Sequence, residues 1–120
     1  MADRVLFISW GENIAGREAH GLEAFNQAIG MWGRMQEEGL IESFDVVLLA
    51  PNGDMDGYLD IRGSAEQLAA VRENEEYLRA ITDASLVVRN VRVAEGYTGT
   101  GIAKLMSIYQ EAIAATPAPA

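Results

Sequence analysis

Tyr58, Asp60 and Arg62 alternate with Leu59 and Ile61 in a run that reads as a β-strand. Period two sends the three polar side chains to one face and the two apolar ones to the other. A carboxylate and a guanidinium on one sheet face can do chemistry. Arg62, joined by Arg92 from a later strand, can bind a carboxylate or enolate, while Asp60 orients it or accepts a proton. Tyr58, Asn90 and Trp10 complete this ligand-binding set, Trp10 by closing the first strand. The simpler arrangement has Asp60 pair with Arg62 or Arg92 as a structural ion pair in a closed interface.

His20 is the one histidine, a second candidate for proton transfer beside Asp60. Imidazole exchanges protons readily near neutral pH. By helical geometry His20 lies about 160° around from Leu22, off the apolar stripe, so a surface position is expected. With one histidine and no cysteine, no zinc-type ligand set forms, and no metal is expected. Asn52-Gly-Asp54-Met-Asp56-Gly57 opens like a calcium loop. Gly63 stands where the bidentate glutamate belongs, so the stretch reads as an acidic hairpin turn. Gly96-Tyr-Thr-Gly-Thr-Gly101 stands between a strand and a helix, a place where anions meet helix N–H groups. Its order matches neither G-x-G-x-x-G nor the P-loop, so a flexible connection is expected. Trp10, Trp32, Tyr58 and Tyr97 could line an aromatic pocket, although Trp32 sits on a core stripe. No nucleophile–base pairing can be argued, and no cofactor is expected.

These residues need a scaffold. The chain has 120 residues, 49% hydrophobic and 22% charged, which suits one globular domain with a real core. The formal charge of −9 argues against nucleic acid and anionic membrane partners. No apolar run approaches the length of a membrane span, and Met1-Ala-Asp-Arg4 lacks the marks of a signal peptide, so a cytoplasmic protein is expected.

The strongest hairpin signal is Ile41–Gly63, two β-rich runs around a turn cluster. Before it, Val5-Leu-Phe-Ile8 reads as a central strand, and Arg17–Gly39 as a helix with Leu22, Phe25, Ile29 and Trp32 on one stripe. Ala24, Ala28, Met31 and Met35 widen that stripe. Gly21, Gly30 and Gly33 inside the helix suggest close approach of another element. After the hairpin, Ser64–Thr82 reads as a helix opened by a Ser64–Gln67 capping box, with Leu68, Val71, Leu78 and Ile81 buried and Arg72–Glu76 and Glu75–Arg79 paired. Leu86–Val93 reads as the last strand, Ile102–Ile113 as a final amphipathic helix, and 116–120 as a disordered tail.

The order β-α-β-β-α-β plus a helix is the ferredoxin-like α+β pattern, with an antiparallel sheet in the order 4-1-3-2 and both helices on one face. The domain is expected over 1–97, with 98–115 as its C-terminal helix. Surplus apolar surface at Val46, Leu48, the Met31/Met35 side of the first helix and the last helix argues for a homodimer. The span from Val5 to Gly96 resembles the dimeric α/β-barrel superfamily, in which two ferredoxin-like protomers press their open sheet faces together. Ile41-Glu-Ser-Phe-Asp-Val-Val-Leu-Leu and Glu95-Gly-Tyr-Thr-Gly are similar to an uncharacterised group within it. The resemblance implies fold and dimerisation, and carries over no catalytic residues. The expectation is thus a homodimeric, small-ligand-binding or accessory protein. The alternatives are a cofactor-independent monooxygenase or isomerase acting on a small aromatic or enolisable substrate inside the barrel, and a purely structural module.

Overall fold

A computed structural model describes residues 2–119; the last residue of the expected tail, Ala120, lies outside them. Strand β1 (Arg4–Trp10) leads to helix α1 (Glu18–Glu37), then to the hairpin of β2 (Ser43–Leu48) and β3 (Gly57–Gly63). Helices α2 (Ala65–Glu73) and α3 (Glu75–Val87), strand β4 (Arg92–Tyr97) and helix α4 (Thr100–Ala115) complete the chain. The four strands form one antiparallel sheet in the order β2-β3-β1-β4, as the element order implies. No helix among the described residues is long and apolar enough to cross a membrane.

Alternation divides the sheet cleanly. Leu6 and Ile8 of β1 and Leu59 and Ile61 of β3 are buried beneath the helices, with Met31, Trp32, Met35, Ile41, Leu68, Val71 and Tyr77 packed on them. Val5, Phe7 and Ser9 lie on the opposite, open face, across from Arg62, Asp60 and Tyr58. β4 adds Gly96, Ala94 and Arg92 to that face. Met31 and Met35, expected to help cover a partner, are each 2% exposed in the protomer's own core. One sheet and two further helices need a wider stripe from α1 than one sheet alone.

Helix ends follow local chemistry. At the end of α1, Gly39 takes φ +76°, its N–H reaches Gln36 O, and Leu40 N–H reaches Met35 O. That is the Schellman stop, which glycine satisfies without strain. Ser64 and Gln67 form the expected capping box, and Gln67 Nε2 also donates to Gly39 O at 3.1 Å. The expected single helix after it is two. Asn74 closes α2 and caps α3, its side chain accepting from Tyr77 N–H. Asparagine competes with the helical backbone in this way, with Glu75 and Glu76 in the new first turn. The break rearranges the charges: Glu75 still pairs with Arg79 at 2.7 Å, but Glu76 pairs with Arg34 of α1 and Arg72 with Glu95 of β4. Leu78, expected in the core, turns outward, and Tyr77 takes its place.

The last strand also begins later than expected. Tyr77, Ala80, Ile81, Ala84 and Val87 keep a helical stripe against the core, so α3 runs through Leu86-Val87 despite their β-branched and apolar look. Asn90 then adopts φ +54°, and pairing with β1 starts only at Arg92 opposite Ser9.

Gly30 and Gly33 have nothing within 4 Å of where a Cβ would stand, so no approaching element explains them. Alanine at either position should therefore stabilise the protein by about 0.5–1 kcal/mol. Urea midpoints of Gly30→Ala and Gly33→Ala that fall below the parent's would show a contact there. Gly21 differs: a Cβ would collide with Asn13 Oδ1.

Helix α4 stands apart from the body. Every described residue from Ile102 onward is exposed, including Leu105, Met106, Ile108, Tyr109 and Ile113. The radius of gyration, 17.4 Å, exceeds the roughly 14 Å of a compact chain of this length. Its root is nonetheless held close: Thr98 N–H donates to Asp3 O, and a Cβ on Gly101 would strike the same carbonyl.

Candidate functional site

The expected site residues separate. Tyr58, Asp60 and Arg62 share the open face with Arg92, as alternation requires. Arg62 bonds Asp60 at 3.1 Å and Thr98 Oγ1 at 3.0 Å, and Phe7 packs on Tyr58 with ring centroids 5.2 Å apart. Asp60 also stands directly across from Asp45, so Arg62 balances a pair of cross-strand carboxylates. Arg92 instead approaches Asp54 of the hairpin turn at 3.7 Å. Asn90 lies in the turn before β4, not on the sheet, and does not flank β1. Trp10 shares the phase of Leu6 and Ile8, so it belongs to the helix side and not to the Arg62 set. His20 is on the surface of α1, its Nε2 3.2 Å from Asp83 Oδ1.

A cavity of about 300 Å³ lies on the other side of the sheet, between it and helices α1 and α3. Ile8 and Leu59 form its floor, Phe25, Ala28, Met31 and Trp32 its α1 wall, and Tyr77, Ile81 and Ala84 its α3 wall. Two T-shaped pairs shape it, Trp10 on Phe25 and Trp32 on Tyr77, each with centroids 6.0 Å apart. Burial pushes the Tyr77 phenol above its ordinary value of 10.0, partly opposed by nearby Arg72.

Trp10 can lie across the strand end because Gly57 opposes it. A Cβ on Gly57 would meet Trp10 Cζ2 and Val47 O at 2.7 Å each. The loop from Gly11 to Arg17 is fixed beside the cavity by bonds to the end of α3 and the segment that follows it. Gly11 N–H reaches Arg89 O at 2.7 Å, Arg89 N–H reaches Glu12 O at 2.9 Å, and Ile14 N–H reaches Val87 O at 2.9 Å. The hairpin turn adds Asp56, whose N–H donates to Trp10 O at 2.8 Å. Asn52 organises that turn, accepting from Asp54 and Met55 N–H through Oδ1 at 3.0 Å each. No cluster of metal-ligating side chains occurs among the described residues.

The mouth is rimmed by Asn13, Glu18, Leu22, Leu48 and Asp56, all exposed. Leu22, expected in the core, is 63% exposed there. Glu18 Oε1 accepts from Gly16 N–H, and backbone hydrogen bonds hold its carboxyl below the usual range. No arginine, lysine or histidine lines the cavity among the described residues. The arrangement suits an apolar, flat, uncharged guest. Of the wall residues, Phe25, Ala28, Met31 and Trp32 were legible as an apolar stripe. That the stripe borders open space was not.

The architecture is the ferredoxin-like fold, shared with several solved structures. A dimeric protein of unknown function and ferredoxin-like fold from Bacteroides fragilis matches with a TM-score of 0.59 at 11% identity, over 79% of this chain and 96% of its own. A conserved protein of unknown function and possible oxidoreductase from Bacteroides thetaiotaomicron matches at 0.61 and 11%, over 80% and 98%. A variant of SnoaB, a cofactor-independent oxygenase from Streptomyces nogalater, matches at 0.56 and 11%, over 82% and 93%. No family model matches the chain, and no curated protein matches it in sequence.

Proposed function

We propose that this chain is a homodimeric protein that binds a small, uncharged, largely apolar molecule between its sheet and helices α1 and α3. The observation that carries the reading is the 300 Å³ cavity, walled by aromatic and aliphatic side chains and free of cationic lining groups among the described residues. The dimer rests on the open face, where Val5, Phe7, Val47 and Tyr58 are only partly covered by the protomer's own atoms. Two copies packed through that face would bury these side chains and enclose the Asp60–Arg62 pair. The Bacteroides fragilis protein of the same fold is dimeric, which supports a dimer here. In the face-to-face arrangement, Asp60, Arg62, Tyr58 and Arg92 serve the interface, while Trp10 serves the cavity. The charge of −9 disfavours nucleic-acid and anionic membrane partners, no helix among the described residues is long and apolar enough to cross a membrane, and we assign the protein to the cytoplasm.

Native mass spectrometry of the purified protein tests both halves. The expected spectrum is a dimer carrying a neutral molecule that leaves on denaturation. A monomer sinks the interface, and a dimer that takes up no aromatic probe sinks the cavity reading.

A second reading, a cofactor-independent monooxygenase or isomerase, draws support from the fold shared with SnoaB. Recovery of the bound molecule unchanged after incubation in air argues for a binding protein. An oxidised or isomerised product argues for the enzyme.

A further inference from the structure

Two apolar surfaces of the protomer are uncovered, and they stand at opposite edges of the sheet. The first is α4. Ile102, Met106, Tyr109 and Ile113 recur at spacings of four, three and four, one stripe of a helix, and all four are exposed. The second is a rim at the β2 edge. Leu48 and Leu22, 67% and 63% exposed, are the two most exposed large apolar side chains among the described residues, and both rim the cavity mouth. Val46, on the same face of β2 as Leu48, and the neighbouring Leu49 extend that patch.

The exposed area is too large for a chain that stays alone. The protomer exposes 7796 Å², against about 6,300 Å² for a compact monomer of 13.0 kDa. The excess is larger than the roughly 800 Å² that each partner gives to a standard interface. Charge narrows the choice of partner. Lys104 and Glu111 are the charged residues after Tyr97, so the whole net charge of −9 lies on residues 1–97. A helix of no net charge meets Glu18 and Asp56 at the rim without repulsion. One lysine is too little for a helix that lies on anionic lipid. A second copy brings a helix and a rim in equal number, each covering the other's counterpart, as a twofold interface requires.

Within one chain, α4 does not cover the rim. Thr98 N–H ties the root of α4 to Asp3 O, at the start of β1. The rim lies at the far end of that strand and three strands across, about 25 Å away. Helix α2, packed on β1 and β3, stands between them.

We propose that α4 of each protomer crosses to a second copy of this chain and docks on its rim, the Met106–Tyr109 stripe against Leu22 and Leu48, so that the partner's helix closes each cavity mouth. The proposal rests on the dimer reading above. Sheets packed open face to open face about a twofold axis along the strands set each β4 edge beside the partner's β2 edge. Arg62 of the open face donates to Thr98 Oγ1 at 3.0 Å, which ties the link to α4 to that face. The helix, 16 residues or about 24 Å long, spans the six residues of β2, about 20 Å.

The test uses the absence of cysteine from the chain. Leu48→Cys/Tyr109→Cys and Leu22→Cys/Tyr109→Cys are oxidised, or bridged with a short bismaleimide, and run on a denaturing gel. All three positions are exposed in the protomer, so the fold tolerates the changes. The expected product of both double variants is a covalent dimer, which neither Leu48→Cys nor Leu22→Cys forms alone. Tyr109→Asp should weaken dimerisation by about 30-fold or more. A fast-running monomer, linked within one chain, overturns the proposal. So does a covalent dimer from Tyr109→Cys alone, which pairs α4 with α4, and so does co-sedimentation of the parent protein with phosphatidylcholine vesicles in place of self-association. A dimer by light scattering that never cross-links overturns the docking of α4 and leaves the open-face dimer standing. A parent protein that stays monomeric overturns both.

Discussion

Phe7→Asp should convert the proposed dimer to a monomer without unfolding it. Phe7 sits at the middle of β1 on the open face, opposite Asp60 on one side and Ala94 on the other, with its ring against Tyr58. It is absent from the buried cluster beneath the helices, so the protomer's core does not depend on it. In a face-to-face dimer the substitution buries two carboxylates beside Asp45 and Asp60, with Arg62 already shared between Asp60 and Thr98. An uncompensated buried charge costs about 3–5 kcal/mol. Two of them in one interface weaken association by about 10⁴-fold or more. Light scattering after size exclusion should give the monomer mass at micromolar concentration, with an unchanged far-ultraviolet spectrum. A Phe7→Asp protein that remains dimeric would place the interface elsewhere, with α4 the first surface to examine.

Ala28→Trp should abolish ligand binding while leaving the protomer at least as stable as its parent. Ala28 lies on the cavity side of α1, one turn beyond Phe25 and one turn before Trp32. An indole added there projects into the cavity and takes up the volume a guest needs. Binding of a tricyclic aromatic probe should fall by about 100-fold or more, close to 2.7 kcal/mol. Stability should move the other way, because the added ring gains contacts with Ile8, Leu59 and Ala84 and displaces no packed core atom. Probe titration and a urea midpoint on the same sample read the two quantities. Loss of binding together with a lower midpoint would mean that the wall is already tightly packed, against the cavity reading. Retained binding would put the guest outside the space between sheet and helices.

The architecture was legible because it rests on local periodicities. Leu59 and Ile61 alternating with Tyr58, Asp60 and Arg62 set the phase of β3, and that phase is what the sheet uses. The first strand's apolar run marked it as central, and Gly39, Ser64 and Gln67 marked helix ends whose caps form as written. Two boundaries were not legible. Asn74 divides one apparent helix because its side chain offers the backbone a cap, and Leu86-Val87 stays helical because Val87 completes a stripe against the core. In both places a short apolar or charged run suits either state, and contacts distant in sequence decide.

The site was harder to read for a physical reason. Charged residues on an alternating strand announce themselves, so Asp60 and Arg62 drew attention to the open face. The cavity is built from residue types that a sequence cannot distinguish from filled core. Whether Phe25, Ala28, Trp32 and Tyr77 close on one another or leave 300 Å³ between them depends on how far α1 and α3 stand from the sheet. That spacing is set by the loop from Gly11 to Arg17, bonded to Val87 and Arg89, and by the Asn74 break that turns Tyr77 inward. The chain's own sequence determined the order of its strands, the two faces of its sheet and its ferredoxin-like class, because each follows from spacing along the chain. Only the tertiary structure decided where space remains, because that depends on packing between elements that no local pattern encodes.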